Sequence, residues 1–308
     1  MKYYLFLLLI FSLDVSSQQL KGLVLDNETN LPIEYVNVFL NKNNYGVFTN
    51  KSGEFFLKDI ADNDSIYISC IGYVTNKIRI SELDSSLAKN IFILKKNIYQ
   101  LNDVIVESKI KKYTTPKKIN NSNGKNETNY FGFQFGTENC VYIKNEHKSK
   151  GKIQSISLDL KKVIDSPDFC KECKVDYVTD FSIKFYKYDK RKKIPGDEIY
   201  DKPIIIYSKN KSSILEIKLD TLHIPFLEDG ICIGIETINT QYTNPKKVGA
   251  FIAPSINFER IRNVHENHAW VRYRYAGKWE FKSFFARDRI SKYFDRIKID
   301  VKVKYEKD

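Results

Sequence analysis

The chain reads as an all-β protein built from two sandwiches, and three observations carry that reading. Short runs of alternating apolar and polar residues recur at intervals near 8 to 12 residues, separated by Asn, Asp, Ser and Gly, which is the rhythm of strands and turns. No stretch of helical period exceeds the few residues of 82–89. The 308 residues, 42% hydrophobic and 14% aromatic, suffice for two closed cores.

The N-terminus stands apart from this pattern. Lys2 precedes the apolar run YYLFLLLIFSL at 3–13, and small residues follow before Gln18. A short basic region, an apolar core and a small-residue exit predict a secretory signal peptide over residues 1–17. A membrane-spanning helix needs about 20 apolar residues, so the run is too short to serve as an anchor. The mature chain is expected to start at Gln18 or Gln19, to lie in the periplasm or at the outer-membrane or cell surface, and to contain no transmembrane segment.

Residues 18–106 hold seven strand-like runs: KGLVLD, YVNVFL, VFTN, EFFL, DSIYISCIG, NKIRI and NIFIL, with DVIV after them. Gly46 and Gly53 fall where hairpin turns call for a positive φ, Pro32 enters an extended segment, and Gly72 closes a buried strand. The frame formed by KGLVLD at 21–26, LPIEYVNVFL at 31–40, GVFTNKSGEFFL at 46–57 and IYISCIGY at 66–73 resembles the carboxypeptidase-regulatory-like domain. That resemblance implies a transthyretin-like seven-stranded β-sandwich of the kind found at the start of exported Bacteroidetes proteins, including the SusC-type TonB-dependent receptors. LNDVIV at 101–106 is similar to the segment that leads into the plug of those receptors. The residues that follow are too few for a barrel of about 22 strands, so the chain is expected not to be a receptor itself.

Residues 107–129 are lysine-rich and almost without apolar side chains, which predicts a basic, solvated linker. Residues 130–308 return to strands: NCVYIKN, KIQSISLDL, FSIKFYKY, KPIIIYS, SILEIKL, GICIGIETI, AWVRYRY, KWEFK and KIDVKVKY. Nine candidates predict a second, jelly-roll-like β-sandwich. Blocks such as IPGDEI at 194–199 and GICIGIE at 230–236 resemble a β-rich domain of envelope proteins.

The net charge of +12 does not point to nucleic acid. Lysine supplies 41 of the 50 cations, whereas phosphate recognition favours the planar fork of arginine. Charge also divides unevenly: −1 over residues 18–106, +4 over the linker and +9 over the remainder.

Metal and nucleophile motifs are wanting. His265-Glu266-Asn267-His268 is one residue short of the H-E-x-x-H that sets two imidazoles on one helical face. Cys170 and Cys173 are spaced to bridge as a disulfide in an oxidising compartment, with a mixed site alongside His265 and His268 as the alternative. There is no G-x-S-x-G elbow, P-loop or dinucleotide fingerprint. Asp176, Asp180 and Glu236 read as solvated positions on strand faces. No catalytic residue, metal or cofactor is therefore assigned.

One cluster is richer. Seven of the nine arginines lie between Arg260 and Arg296 beside both tryptophans, and residues 268–281 read as a hairpin turning at Ala276-Gly277. Alternation sets Trp270, Arg272 and Arg274 on one face, with Trp279 on the returning strand. Rings beside guanidinium groups suit a sugar or an anionic polymer, while the alternative is a buried face covered by arginine stems. The sequence thus predicts an exported, non-enzymatic binding module for a glycan or an envelope protein. The competing reading is a carboxypeptidase-related or carbohydrate-active enzyme accessory.

Overall fold

The computed structural model describes residues 18–40, 46–84, 88–97, 111–120, 128–129, 136–164, 180–200, 202, 204–207, 213–238, 250–254, 256–260, 268–273, 278–281 and 293–307. The expected Cys170–Cys173 bridge, Arg274 and the 101–106 segment lie outside these residues.

The first domain is a sandwich of seven strands, as the spacing predicts. One sheet orders β4 (Glu54–Ile60), β1 (Gln18–Asp26) and β7 (Asn90–Leu94); the other orders β3 (Gly46–Phe48), β2 (Asn37–Leu40), β5 (Ser65–Ser69) and β6 (Asn76–Arg79). Strand alternation fills the space between the sheets: Leu20 and Val24 from β1 meet Val38 and Leu40 from β2, Leu57 from β4, Ile66 and Ile68 from β5, and Phe92 and Leu94 from β7. Each such side chain withdrawn from water contributes roughly 1.5 to 3 kcal/mol. At Gly22, a Cβ would strike the rings of Phe55 and Phe92, which pack at 5.5 Å between centroids, so only glycine lets both rings sit over β1. Gly53 takes a positive φ as expected, and so does Gly72 after the buried strand, whereas Gly46 is an ordinary residue of β3 paired with Phe39. The left-handed turn belongs to Gly53 because Asn50 already closes that turn, accepting the amides of Ser52 and Glu54 on its side chain.

The buried end of β1 is polar. Asp26 accepts hydrogen bonds from the Tyr73 hydroxyl, the backbone amides of Thr29 and Glu28, and the Thr29 hydroxyl. These donors, Tyr73 foremost, hold its carboxyl far below the usual carboxylate range.

The second domain pairs two larger sheets. The first contains β13 (Ile194–Glu198), β12 (Asp180–Asp189), β17 (Ile231–Ile238), β10 (Thr137–Ile143), β20 (Ala269–Tyr273) and β21 (Glu280–Phe281) in that order, with β14 (Ile204–Ile206) also on β12. The second orders β15 (Ser213–Lys218), β11 (Gly151–Ile164), β23 (Ile299–Tyr305) and β8 (Lys117–Asn120), with β16 (Pro225–Phe226) and β18 (Ala250–Pro254) also on β11. A small sheet joins β22 (Tyr293–Ile297), β19 (Ile256–Arg260) and β9 (Thr128–Asn129). Between the two large sheets, Ile231, Ile233, Ile235, Phe181, Ile183 and Phe185 face Ile153, Ile156, Leu158, Val301 and Val303. Each of the nine runs read from the sequence contains a strand. The linker reading does not hold throughout: Lys117–Asn120 add an edge strand to β23, because Ile119 packs on the core while Lys117 and Lys118 before it stay in water.

The two sandwiches touch. Asn37 of β2 and Ser69 of β5 lie on the outer side of the first domain and face the outer side of β12 and β17. Beside them, the Tyr35 hydroxyl donates to Asp180 at 3.5 Å.

Asp26→Asn tests the polar anchor. The folded carboxyl titrates lower than the unfolded one, so its stabilisation is present above about pH 4 and is lost as the pH falls from there toward the folded value. Thermal melts should show the variant well below the parent at about pH 7, with the gap closing toward about pH 2. A gap independent of pH contradicts the assignment.

Candidate functional site

The site grows from the outward side of β17. Its sequence ICIGIETI is apolar up to Glu236, and all eight residues are buried. Ile231, Ile233 and Ile235 enter the core, so Cys232, Gly234 and Glu236 point the other way. Register then sets Glu138 of β10 opposite Glu236, Arg272 of β20 opposite Glu138, and Lys184 of β12 opposite Gly234.

Two carboxylates side by side on neighbouring strands repel unless cations intervene. Lys184 Nζ lies 2.8 Å from Glu236 Oε2 and 3.4 Å from Glu138 Oε2. Arg272 donates from Nε to Glu138 Oε2 at 2.8 Å and from Nη2 to the Tyr186 hydroxyl at 2.6 Å, while that hydroxyl donates to Glu138 Oε1 at 2.6 Å. The arrangement is a neutral, buried set of two acids, two bases and a phenol. Gly234 makes it possible, since a Cβ there would collide with the Glu138 carboxylate. Burial alone would raise the Glu138 carboxyl, but Arg272, Lys184 and Tyr186 outweigh it and hold the group below the usual range. Burial likewise works against the Lys184 ammonium, and the two carboxylates overcome it and hold its pKa above the ordinary lysine value.

Along the same face, the charged set gives way to rings. Trp270 is fully buried against Cys140, Cys232 and Tyr186. Around it, Tyr142 stacks on Tyr188 at 4.3 Å, His268 tilts against Tyr142 at 5.0 Å, and Phe281 lies 6.2 Å from Trp270. The Arg272 guanidinium sits 4.2 Å from the Trp279 centroid, and Trp279 meets Tyr186 edge-on at 5.6 Å. Trp279, Tyr142, Tyr188 and His268 are half-buried and Phe281 is 47% exposed, so the shelf has a wet rim.

Trp270, Arg272 and Trp279 lie near one another on this face, but with different surroundings. Trp270 is wholly covered and cannot offer a ring face to a ligand; Arg272 is spent on Glu138 and Tyr186; Trp279 remains at the rim. Arg274 lies outside the described residues. Glu236 is not a solvated position: it is 4% exposed and bonded to Lys184 and Asn37. Asp180 is half-buried beside Tyr35. The reading of sequence missed Glu138, Lys184 and Tyr186. Their signal was the apolar run GICIGI at 230–235, which continues straight into Glu236 and marks a strand covered on both sides, where any charge is obliged to be paired. Among the described residues, no three His, Cys, Asp or Glu side chains gather as metal ligands, and no helix is long and apolar enough to cross a membrane.

Removing the Arg272 guanidinium strands Glu138 in the interior with one cation fewer. Arg272→Ala should therefore cost about 3 to 5 kcal/mol of stability in denaturant unfolding. A loss near that of an exposed ion pair, about 1 kcal/mol or less, would show that the pair is solvated.

Comparison with known proteins supplies a family for part of the chain. Residues 20–106 match the model of the CarboxypepD_reg-like domain. No curated protein matches the chain. Among solved structures, a DUF3823 family protein from Parabacteroides merdae aligns at 10% identity over 72% of this chain and 98% of its own, with a TM-score of 0.20. A streptococcal ancillary pilin aligns at 10% identity over 78% of this chain and 59% of its own, with a TM-score of 0.22. A proposed carbohydrate binding protein from Bacteroides uniformis aligns at 10% identity over 77% and 96%, with a TM-score of 0.20. The strands of the first sandwich thus coincide with the part of the chain that matches the CarboxypepD_reg-like domain.

Proposed function

We propose that this chain is an exported, non-enzymatic protein of the cell envelope that works as a binding module for a glycan or an envelope protein. The observation that carries the proposal is the half-exposed aromatic shelf of Tyr142, Tyr188, His268, Trp279 and Phe281 at the end of a rigid sheet. Rings of this kind offer flat apolar faces and few rotatable bonds, which lowers the entropy lost when a sugar ring or a partner side chain stacks on them. Arg272 steadies Trp279 by lying over its ring while its own charge is satisfied beneath. The first domain has a different part in this reading: it covers the charged end of the same sheet and leaves the aromatic end open.

The test uses residues 18–308 on a glycan array and against envelope extracts. Binding is expected for the parent and should fall at least tenfold in Trp279→Ala combined with Phe281→Ala, two rim positions outside the hydrogen-bonded ion set, with thermal melts of the variant confirming that it stays folded. Binding that survives the double substitution, or no binding to any glycan or extract, overturns the proposal.

A further inference from the structure

The first sandwich meets the second domain through its β3-β2-β5-β6 sheet, so the outward side of the β4-β1-β7 sheet looks away from the junction. Register sets the residues of that side in rows. Leu23 of β1 lies between Glu54 of β4 and Ile91 of β7, Leu25 lies beside Ile93, and Lys21 lies opposite Phe56. Their neighbours along each strand, Val24, Phe55, Leu57, Phe92 and Leu94, fill the core, and alternation leaves the first set outside. Ile91 is 61% and Ile93 48% exposed, while Leu23, Leu25 and Phe56 are half-buried. An apolar strip on the outside of a sheet contributes nothing to the core on its other side. Strips of this kind mark surfaces that meet something apolar.

The charges around the strip narrow what that is. Lys21 and Lys58 lie 5.9 and 5.4 Å from the Phe56 centroid. Lys89, just before β7, reaches Glu54 at 2.6 Å, and Lys95 stands exposed just after it. Four lysines against one acid make this side cationic in a domain whose net charge is −1. A second copy placed here would set lysine against lysine. An acidic protein would fit the charge but not the composition, because the core of a protein interface favours Arg, Tyr and Trp and is poor in Lys. Aliphatic side chains edged by lysine suit a lipid surface instead: the long stems lie along the apolar layer while the ammonium groups stay with the phosphates.

We propose that the outward face of β4-β1-β7 docks this protein on an anionic lipid surface. Leu23, Leu25, Ile91 and Ile93 enter the boundary between headgroups and acyl chains, and Lys21, Lys58 and Lys95 meet the phosphates. Lysines alone would give adsorption that salt removes; the isoleucines add a contribution that salt does not screen. The aromatic shelf belongs to the second domain and takes no part, so this inference does not rest on the glycan reading.

Co-sedimentation of residues 18–308 with vesicles tests the proposal, one set of phosphatidylcholine alone and one of phosphatidylcholine and phosphatidylglycerol in equal parts. The parent should pellet with the mixed vesicles and stay in solution with the neutral ones. Affinity for the mixed vesicles should fall at least tenfold in Ile91→Ser combined with Ile93→Ser, and again in Lys21→Gln combined with Lys58→Gln, with thermal melts confirming that both variants stay folded. Trp279→Ala combined with Phe281→Ala should bind as the parent does. No pelleting with the mixed vesicles overturns the proposal and leaves an acidic protein as the occupant of this face. Binding that survives the isoleucine substitutions also overturns it, as adsorption through lysines elsewhere on a chain of net charge +12. Equal binding to neutral vesicles, loss of binding in the Trp279 and Phe281 variant, or a dimer in sedimentation equilibrium that the isoleucine substitutions abolish does the same.

Discussion

Charge buried where the two sandwiches meet is the constraint around which the rest of this protein is arranged. Glu138, Lys184, Glu236 and Arg272 sit on the outer face of one sheet, a place that water would normally occupy. Taking such groups out of water is costly unless each has its counter-ion and its hydrogen bonds, so the positions of neighbours are not free. Gly234 must lack a side chain, Tyr186 must bring its hydroxyl, and the first domain must present Asn37 and Ser69 rather than apolar residues. The aromatic shelf inherits its geometry from the same set, since Arg272 reaches Trp279 from its bond to Glu138.

This arrangement also explains the division of labour between the domains. A CarboxypepD_reg-like sandwich has two outer faces, and here the β3-β2-β5-β6 side supplies the contact with the second domain. Each core is closed by its own pair of sheets, so the junction is not needed to complete either one. What the junction supplies is fixed orientation. Polar contacts of defined direction, such as Asn37 to Glu236 and Tyr35 to Asp180, specify a single docking geometry better than apolar contact does.

Much of the fold was legible because strand alternation is a direct imprint of one wet face and one dry face. β23, with every second residue buried from Ile299 to Tyr305, shows it cleanly. The same rule misled at β12 and β17, where both faces are dry: Glu236 was assigned to solvent because alternation cannot tell water from a second domain. Lys117–Asn120 escaped for the opposite reason, since an edge strand holding one apolar residue between two lysines and an asparagine run looks like linker. Trp270 and Arg272 share one face of β20, while the burial of Trp270 depends on rings such as Tyr188 from a strand distant in sequence, which no local pattern reports.

The claim that buried charge holds the two sandwiches in one geometry is tested most directly by hydrogen exchange read by mass spectrometry on the parent and on Lys184→Met. Loss of the ammonium leaves Glu138 and Glu236 opposed across β10 and β17, and the first domain should feel it. The account predicts faster exchange not only in β12 and β17 but also in β2 and β5. Unchanged protection of β2 and β5, with the effect confined to the second domain, would contradict it.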